Sequence, residues 1–415
     1  MNTTVLNQPE SQDIDRDPCR NMAIMWRRFR LFILLGILAF TLIIGYQRLA
    51  QRDVPTDIDT RAQTAKAVVV DLVDHAIFQI LDNLTANANQ LHQSAMSFQA
   101  QPVDSHLTST ASALRESLGA WHLTVTCQFG PATQYDYHKR IATWPCDTVL
   151  IEHVIAQVQA GQITINPQYL REQHYASLRG LHAVQYLLYR DGKLRSADSF
   201  TDAELAYLTA VTQSLLQECI DFEAAWRGTE NLPADKLAII KAAGIPTRKG
   251  YADEFKYPGR NGSRYASVAV SLQEVLQDLT GCIEDIAVGM DELPIGDQQQ
   301  TPAYWDSLDP IEDLLKQIQS IKVSYLGGFE GKRGRSISEL VAAHDQALDR
   351  LIQISLAHTA YRTAAIGDLK DATQDQQELA VRIAQSELKK LNARLFAATP
   401  LVVLDPAADP YAAYR

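Results

Sequence analysis

Apolar residues recur every three to four positions over long stretches of this chain, and that spacing predicts helices. Val68, Leu72, Ala76, Ile80, Leu84, Leu91, Ala95 and Phe98 fall on one face of a first long helix. Leu205, Leu208, Val211, Leu215, Cys219, Phe222 and Trp226 mark a second. The clearest stripe runs from Tyr265 and Val268 through Leu272, Val275, Leu279, Ile283 and Ile286 to Met290. A fourth joins Ile337, Leu340, His344, Leu348, Leu351 and Ser355, and a fifth runs from Leu369 through Leu379, Ile383 and Leu388 to Leu395. Strand signals are short, at residues 122–129 and 163–165, and nothing alternates for long. Helices of this length with one apolar face call for bundle packing.

Prolines and glycines place the breaks. Residues 227–262 gather Pro233, Pro246, Pro258 and several glycines, which predicts a connector with at most one short helix. Residues 326–336 form a Gly/Arg-rich turn, and Pro400, Pro406 and Pro410 predict a loose tail over 399–415. The expected fold is therefore all-α, with a bundle over 60–226, the connector, and a second bundle over 263–398.

One segment changes the picture of where the chain resides. Residues 31–46 are uncharged and mostly apolar and follow Arg27, Arg28 and Arg30, with Trp26, Phe29 and Tyr46 at the edges. Sixteen helical residues span roughly 24 Å, slightly under a bilayer core. Arginines on one side and flanking aromatics fit a single membrane anchor, with residues 1–30 as a cytoplasmic leader and the bulk of the protein in the periplasm. The rival is a cleaved signal peptide. The whole chain has a net charge of -11, and from residue 53 onward 31 basic residues face 45 acidic ones. So acidic a domain argues against nucleic acid as a partner. Cys19 falls on the cytoplasmic side of such a membrane and Cys127, Cys146, Cys219 and Cys282 on the outer side, an even number there that permits disulfides. Cys127 and Cys146 flank a Gly-Pro and Trp-Pro block and form the candidate pair, with two buried thiols as the alternative.

Chemistry-bearing residues concentrate in residues 179–189, where Gly180, His182, Gln185 and Tyr186 precede two leucines. This resembles the imelysin signature Gly-x-His-x-x-Glu. Trp121, Phe129-Gly130-Pro131, Tyr135-Asp136 and Trp144-Pro145 are similar to the block that family carries upstream. Ala225-Trp226, Leu293-Pro294-Ile295-Gly296 and Ser324-Tyr325-Leu326-Gly327 follow in the family's order. The likeness covers roughly residues 60–365. It implies a two-bundle helical fold that is exported and often membrane-attached. It also implies kinship with periplasmic iron-uptake components, alginate-binding proteins and proteins classed as metallopeptidases. In the signature, His and Glu at i and i+3 share a helical face and can converge on one cation.

The chain departs from that pattern where the charge should be. Gln185 stands at the Glu position, Val125 at an upstream Glu and Gln128 at an upstream Arg. The implied metal site, His182 with Gln185, is thus weakened: an imidazole and an amide oxygen suit a divalent or ferric cation poorly. Affinity through His182 should fall as pH drops through about 6.5. No His-Glu-x-x-His occurs and no two histidines stand four apart, so zinc peptidase chemistry lacks its usual parts. His174 with His182 is a weaker pairing, Glu152-His153 reads as solvated, His344 as core, and residues 327–335 as a turn instead of a phosphate loop. The expectation is a membrane-anchored, non-catalytic binding or accessory component linked to iron uptake, with iron-uptake or redox proteins as partners. An imelysin-type metallopeptidase and a ligand-free scaffold are the rivals.

Overall fold

The computed structural model describes residues 58–172, 176–293, 308–369 and 371–403, and these are helices and turns with no strand among them. The first stripe is one continuous helical run. α1 (Ile58–Asp71) passes through a π-helical turn, Leu72–Ile77, into α2 (Phe78–Ala100), and the residues flanking the turn keep right-handed helical angles. The reason lies in the spacing of the buried pairs, Val68/Val69, Leu72/Val73, Ala76/Ile77 and Ile80/Leu81, which recur every four residues. In a regular α-helix four residues turn about 400°, so such a face drifts by about 40° per repeat. A wider π turn takes up that drift and keeps the face directed at the core.

The first bundle is built on α2, α3 (Asp104–His122) and α9 (Asp202–Arg227), with shorter helices α4 (Pro131–Gln134), α5 (Tyr137–Ile141), α6 (Thr148–Gln159), α7 (Pro167–Glu172) and α8 (Leu181–Leu188) against them. The α9 start is fixed by a reciprocal cap: the Glu204 amide donates to Thr201 Oγ1 at 3.2 Å, and Glu204 Oε2 accepts from the Thr201 amide at 2.8 Å. The second bundle packs α12 (Val268–Asp291), α13 (Pro310–Tyr325), α14 (Ile337–His344), α15 (Gln346–Gly367) and α16 (Gln374–Val403). Between them the connector carries two short helices, α10 (Ala234–Ala242) and α11 (Ala252–Lys256), where at most one was expected.

Among the described residues the halves meet in several places. α3 packs on α13, the 3-10 turn Val125–Cys127 lies against α12 and α13, the π turn lies against α13, and α1 packs on α11 of the connector and on α12 and α14 of the second bundle. Buried hydroxyls line the second seam. Thr126 Oγ1 and Ser320 Oγ lie 2.7 Å apart, and Ser324 donates to Thr126 at 2.8 Å.

The structure corrects several boundaries. The strand expected at 122–129 is the end of α3 and the 3-10 turn, and 163–165 is plain coil. The fourth stripe breaks at Asp345, whose carboxylate accepts the Leu348 amide at 2.9 Å and starts α15. His344, expected in the core, ends α14 exposed. α16 runs through Pro400 to Val403, past the expected start of the tail. Residues 31–46 lie outside the described residues; no helix among the described ones is long and apolar enough to cross a membrane.

Candidate functional site in the cleft between the bundles

The signature segment turns sharply into α8 at Gly180. Its φ is +87°, and a Cβ there would stand 2.5 Å from the Ile141 carbonyl oxygen, so only glycine fits. α8 then buries Leu181, Ala183, Val184, Leu187 and Leu188. His182 and Gln185 go inward with them, 7% and 3% exposed, one turn apart on one face. The following aromatic, Tyr186, donates to Glu152 Oε1 at 2.8 Å, and Arg190 pairs with the same oxygen. Glu152 is therefore a bonded residue and not a merely solvated one.

His182 packs edge-on to Trp144, with ring centroids 5.2 Å apart. Burial pushes its imidazole down to about 4, against a weaker upward pull from the Gln185 side chain. His122, Asp313 and His138 also act on it electrostatically. The imidazole is neutral at physiological pH, and its acid limit lies near 4, not at the 6.5 expected from sequence. His182 and Gln185 do not fit the metal site that the resemblance implies: the pair offers one imidazole and one amide. Among the described residues no group of three or more His, Cys, Asp or Glu could hold a metal ion.

Next to this face, a cleft of about 700 Å³ opens between the bundles. Trp121 and His122 from the end of α3, Val125 and Gln128 from the turn, and His138 of α5 form one wall. Gln277, Asp278, Gly281, Cys282 and Asp285 of α12, with Gln317 of α13, form the other. His122 bridges the seam: its Nε2 is 3.4 Å from Asp313 Oδ2, and its Nδ1 is 3.2 Å from Gln317 Nε2. Burial, then the charges of Glu274 and Asp285, push the Asp278 carboxyl up to about 7. Three amides, two imidazoles, two carboxyls and an indole can bind a polar or cationic ligand through hydrogen bonds and charge.

Several residues singled out from sequence meet here and others do not. Trp121, Val125 and Gln128 line the cleft, and His182, bonded to Gln185, lies within electrostatic reach of its His122 and His138. Asp136 is elsewhere: exposed, at φ +53°, it starts α5 and pairs with Lys139 at 3.7 Å. His174 lies outside the described residues. Cys127 and Cys146 are both free thiols. Cys127 is wholly buried on the turn against α12, and Cys146 is half-buried just before α6. Sequence reasoning missed Asp278, Asp285, Asp313 and Gln317. Their one signal was a polar position beside the apolar stripe of α12 or α13.

Other family motifs are explained by packing. Phe129 meets Trp226 edge-on at 5.2 Å and Phe255 at 5.8 Å, and Trp226 meets Tyr251 at 5.1 Å, so the aromatics clamp the connector to α9. Charge holds it too. Asp221, wholly buried on α9, accepts from Arg248 Nε at 2.7 Å and from Arg140 at 2.8 Å. Burial alone would raise the Asp221 carboxyl, but the two guanidiniums outweigh it and hold it below the usual range. Glu218 sits between Arg140 and Arg179, and Glu223 between Lys236 and Arg227.

Two packed helical bundles, with a glycine-started His-x-x-Gln helix beside their common cleft, define an imelysin-like architecture. The chain belongs to the imelysin family, whose profile matches residues 77–395. It is 22% identical over 228 residues to iron-regulated protein A of Synechococcus elongatus, a match covering 55% of this chain and 54% of that protein. The chain thus spans about half the length of that curated relative. Its fold is similar to that of a protein described as an iron-regulated protein A precursor from Parabacteroides distasonis. That likeness has a TM-score of 0.64 at 19% identity over 85% of this chain and 97% of the other. An imelysin-like protein from Psychrobacter arcticum superposes with a TM-score of 0.52 at 14% identity, over 82% and 93% of the two chains.

Proposed function

We propose that this protein is a non-catalytic binding or accessory component of iron acquisition, tethered to the inner membrane by residues 31–46 with its helical domain in the periplasm. The observation that carries this reading is the pairing of His182 with a neutral Gln185 beside a polar cleft. The family signature is kept as a scaffold, while the charge needed to grip a metal tightly is gone. The Synechococcus relative bears the name iron-regulated protein A, which supports the link to iron. The ligand belongs in the cleft, where Asp278 and Asp285 favour a cationic or hydrogen-bonding species over an anion. Hydrolysis is not part of this reading, because Gln185 replaces the signature carboxylate that could serve as the base of a metal-bound water.

Calorimetric titration of the purified protein with zinc and with ferric ion tests the proposal. Weak binding that His182→Ala leaves unchanged and Asp278→Asn abolishes is the expected result. Tight binding lost in His182→Ala, or peptide hydrolysis that needs His182, would overturn it. For the tether, a reporter fused after Asp53 should be active only outside the cytoplasm, and the protein should stay with the membrane fraction. Release of a shortened soluble form would refute the anchor.

A further inference from the structure

The α12 wall of the cleft carries a patterned face. Asp278, Gly281 and Asp285 follow one another at intervals of three and four residues, so they share one side of that helix, and all three line the cleft. The two carboxylates stand two turns apart, about 10 Å along the helix axis. Gly281 lies between them in a helix interior, where glycine is less favourable than alanine. Packing does not ask for it: a Cβ added at Gly281 would meet no atom within 4 Å. The missing side chain leaves a trough between the carboxylates. Next along the helix, Cys282 Sγ lies 3.6 Å from the Val125 carbonyl oxygen, so Val125 faces the middle of this stretch, and Trp121 belongs to the same wall as Val125. The trough is therefore apolar in the middle and acidic at both ends.

The protein supplies no cation to this face. No lysine or arginine lines the cleft, and the hydrogen-bond contact of Asp278 is with Cys282 Sγ at 3.9 Å. Burial and the charges of Glu274 and Asp285 lift the Asp278 carboxyl to about 7, and a bound cation would return it to its charged form. A single metal ion does not suit the spacing, because carboxylate oxygens bind one at about 2.0–2.6 Å and these two groups cannot both reach it.

We infer that the cleft takes a linear alkyl diamine, one ammonium on Asp278 and the other on Asp285, with the carbon chain lying over Gly281 against Val125 and Trp121. This deepens the proposal above, since it rests on the cleft being the ligand site and adds the class of ligand. Two charges set apart by methylenes match two carboxylates set apart by a trough, and the chain leaves water as it enters. A monoamine of the same length keeps the chain contact and loses one of the two charge contacts.

Calorimetric titration of the full-length protein with cadaverine and with pentylamine, which has the same carbon chain and one ammonium, tests this. Cadaverine should bind about tenfold more tightly. Asp285→Asn, at an exposed position, should bring cadaverine to the pentylamine level. Gly281→Leu fills the trough and should weaken both amines; should that variant fail to fold, Asp285→Asn decides alone. Equal affinity for the two amines, or cadaverine binding unchanged in Asp285→Asn, overturns the inference. No heat from either amine overturns it as well. If Asp278→Asn then still removes the weak zinc binding, the cleft remains the site of a ligand of another class; if it does not, the cleft is not the ligand site and the proposal beneath falls too.

Discussion

Replacing Gln185 by Glu restores the carboxylate of the imelysin signature and probes how His182 is held. Burial keeps the wild-type imidazole near 4, against about 6.5 for the free side chain. At 1.36 kcal/mol per pH unit, that gap makes protonating the folded imidazole harder by about 3.4 kcal/mol. The folded value lies below the unfolded one, so the unfolded chain binds the extra proton between pH 6.5 and 4. The stability at stake is thus fully present above pH 6.5 and is lost as pH falls toward 4. A carboxylate one turn along would attract the imidazolium by about 4 kcal/mol at 4 Å and an effective dielectric near 20. The two quantities nearly cancel. In Gln185→Glu, His182 should therefore titrate close to 6.5, and its acid-induced loss over that window should largely disappear. At pH 7, where the imidazole is still mostly neutral, the new carboxylate is poorly compensated and should cost about 1–3 kcal/mol. Added zinc should bind the variant at least about tenfold more tightly. NMR titration of the His182 ring proton, with urea unfolding at pH 7, 5.5 and 4, measures each quantity. If His182 still titrates near 4 in the variant, the two side chains do not share a face and the reasoning fails.

Two further variants test the frame around the site. Arg248→Ala should cost about 3 kcal/mol, the low end for breaking a buried ion pair, because Arg140 remains on Asp221. An unchanged urea midpoint would show that Arg140 alone satisfies that carboxylate. Gly180→Ala should destabilise by at least about 2 kcal/mol, combining a disfavoured φ with a clash against the Ile141 carbonyl. A melting temperature equal to wild type would mean the signature glycine is not needed for the turn.

The fold was largely legible because helical periodicity is a local signal. The Tyr265-to-Met290 stripe became α12 nearly residue for residue. Failures came where one residue outweighs a pattern. Asp345 caps a new helix in the middle of a continuous stripe, and residues 122–129 looked strand-like because Val125 and Cys127 occupy a buried turn. The site was half legible. Motif order brought out Trp121, Val125, Gln128 and His182, all on the first-bundle side. The facing wall carries no motif: Asp278, Asp285 and Gln317 are ordinary polar positions until α12 and α13 fold across from α3.

The helical run of residues 58–100 gives synthesis of this protein an enforced waiting period. α1 is among the first parts of the domain to be made, yet the helices it packs on, α11, α12 and α14, begin only at Ala252, Val268 and Ile337. α2, α3 and α9 can close on one another while the apolar face around Val68 and Val69 still lacks its partners. Until α12 emerges, that face needs a chaperone or its own fraying to keep it from foreign contacts. A break in the connector would likewise not yield two self-sufficient halves. The C-terminal piece would lack a helix it was built around, and the N-terminal piece would carry that helix with its greasy side to water.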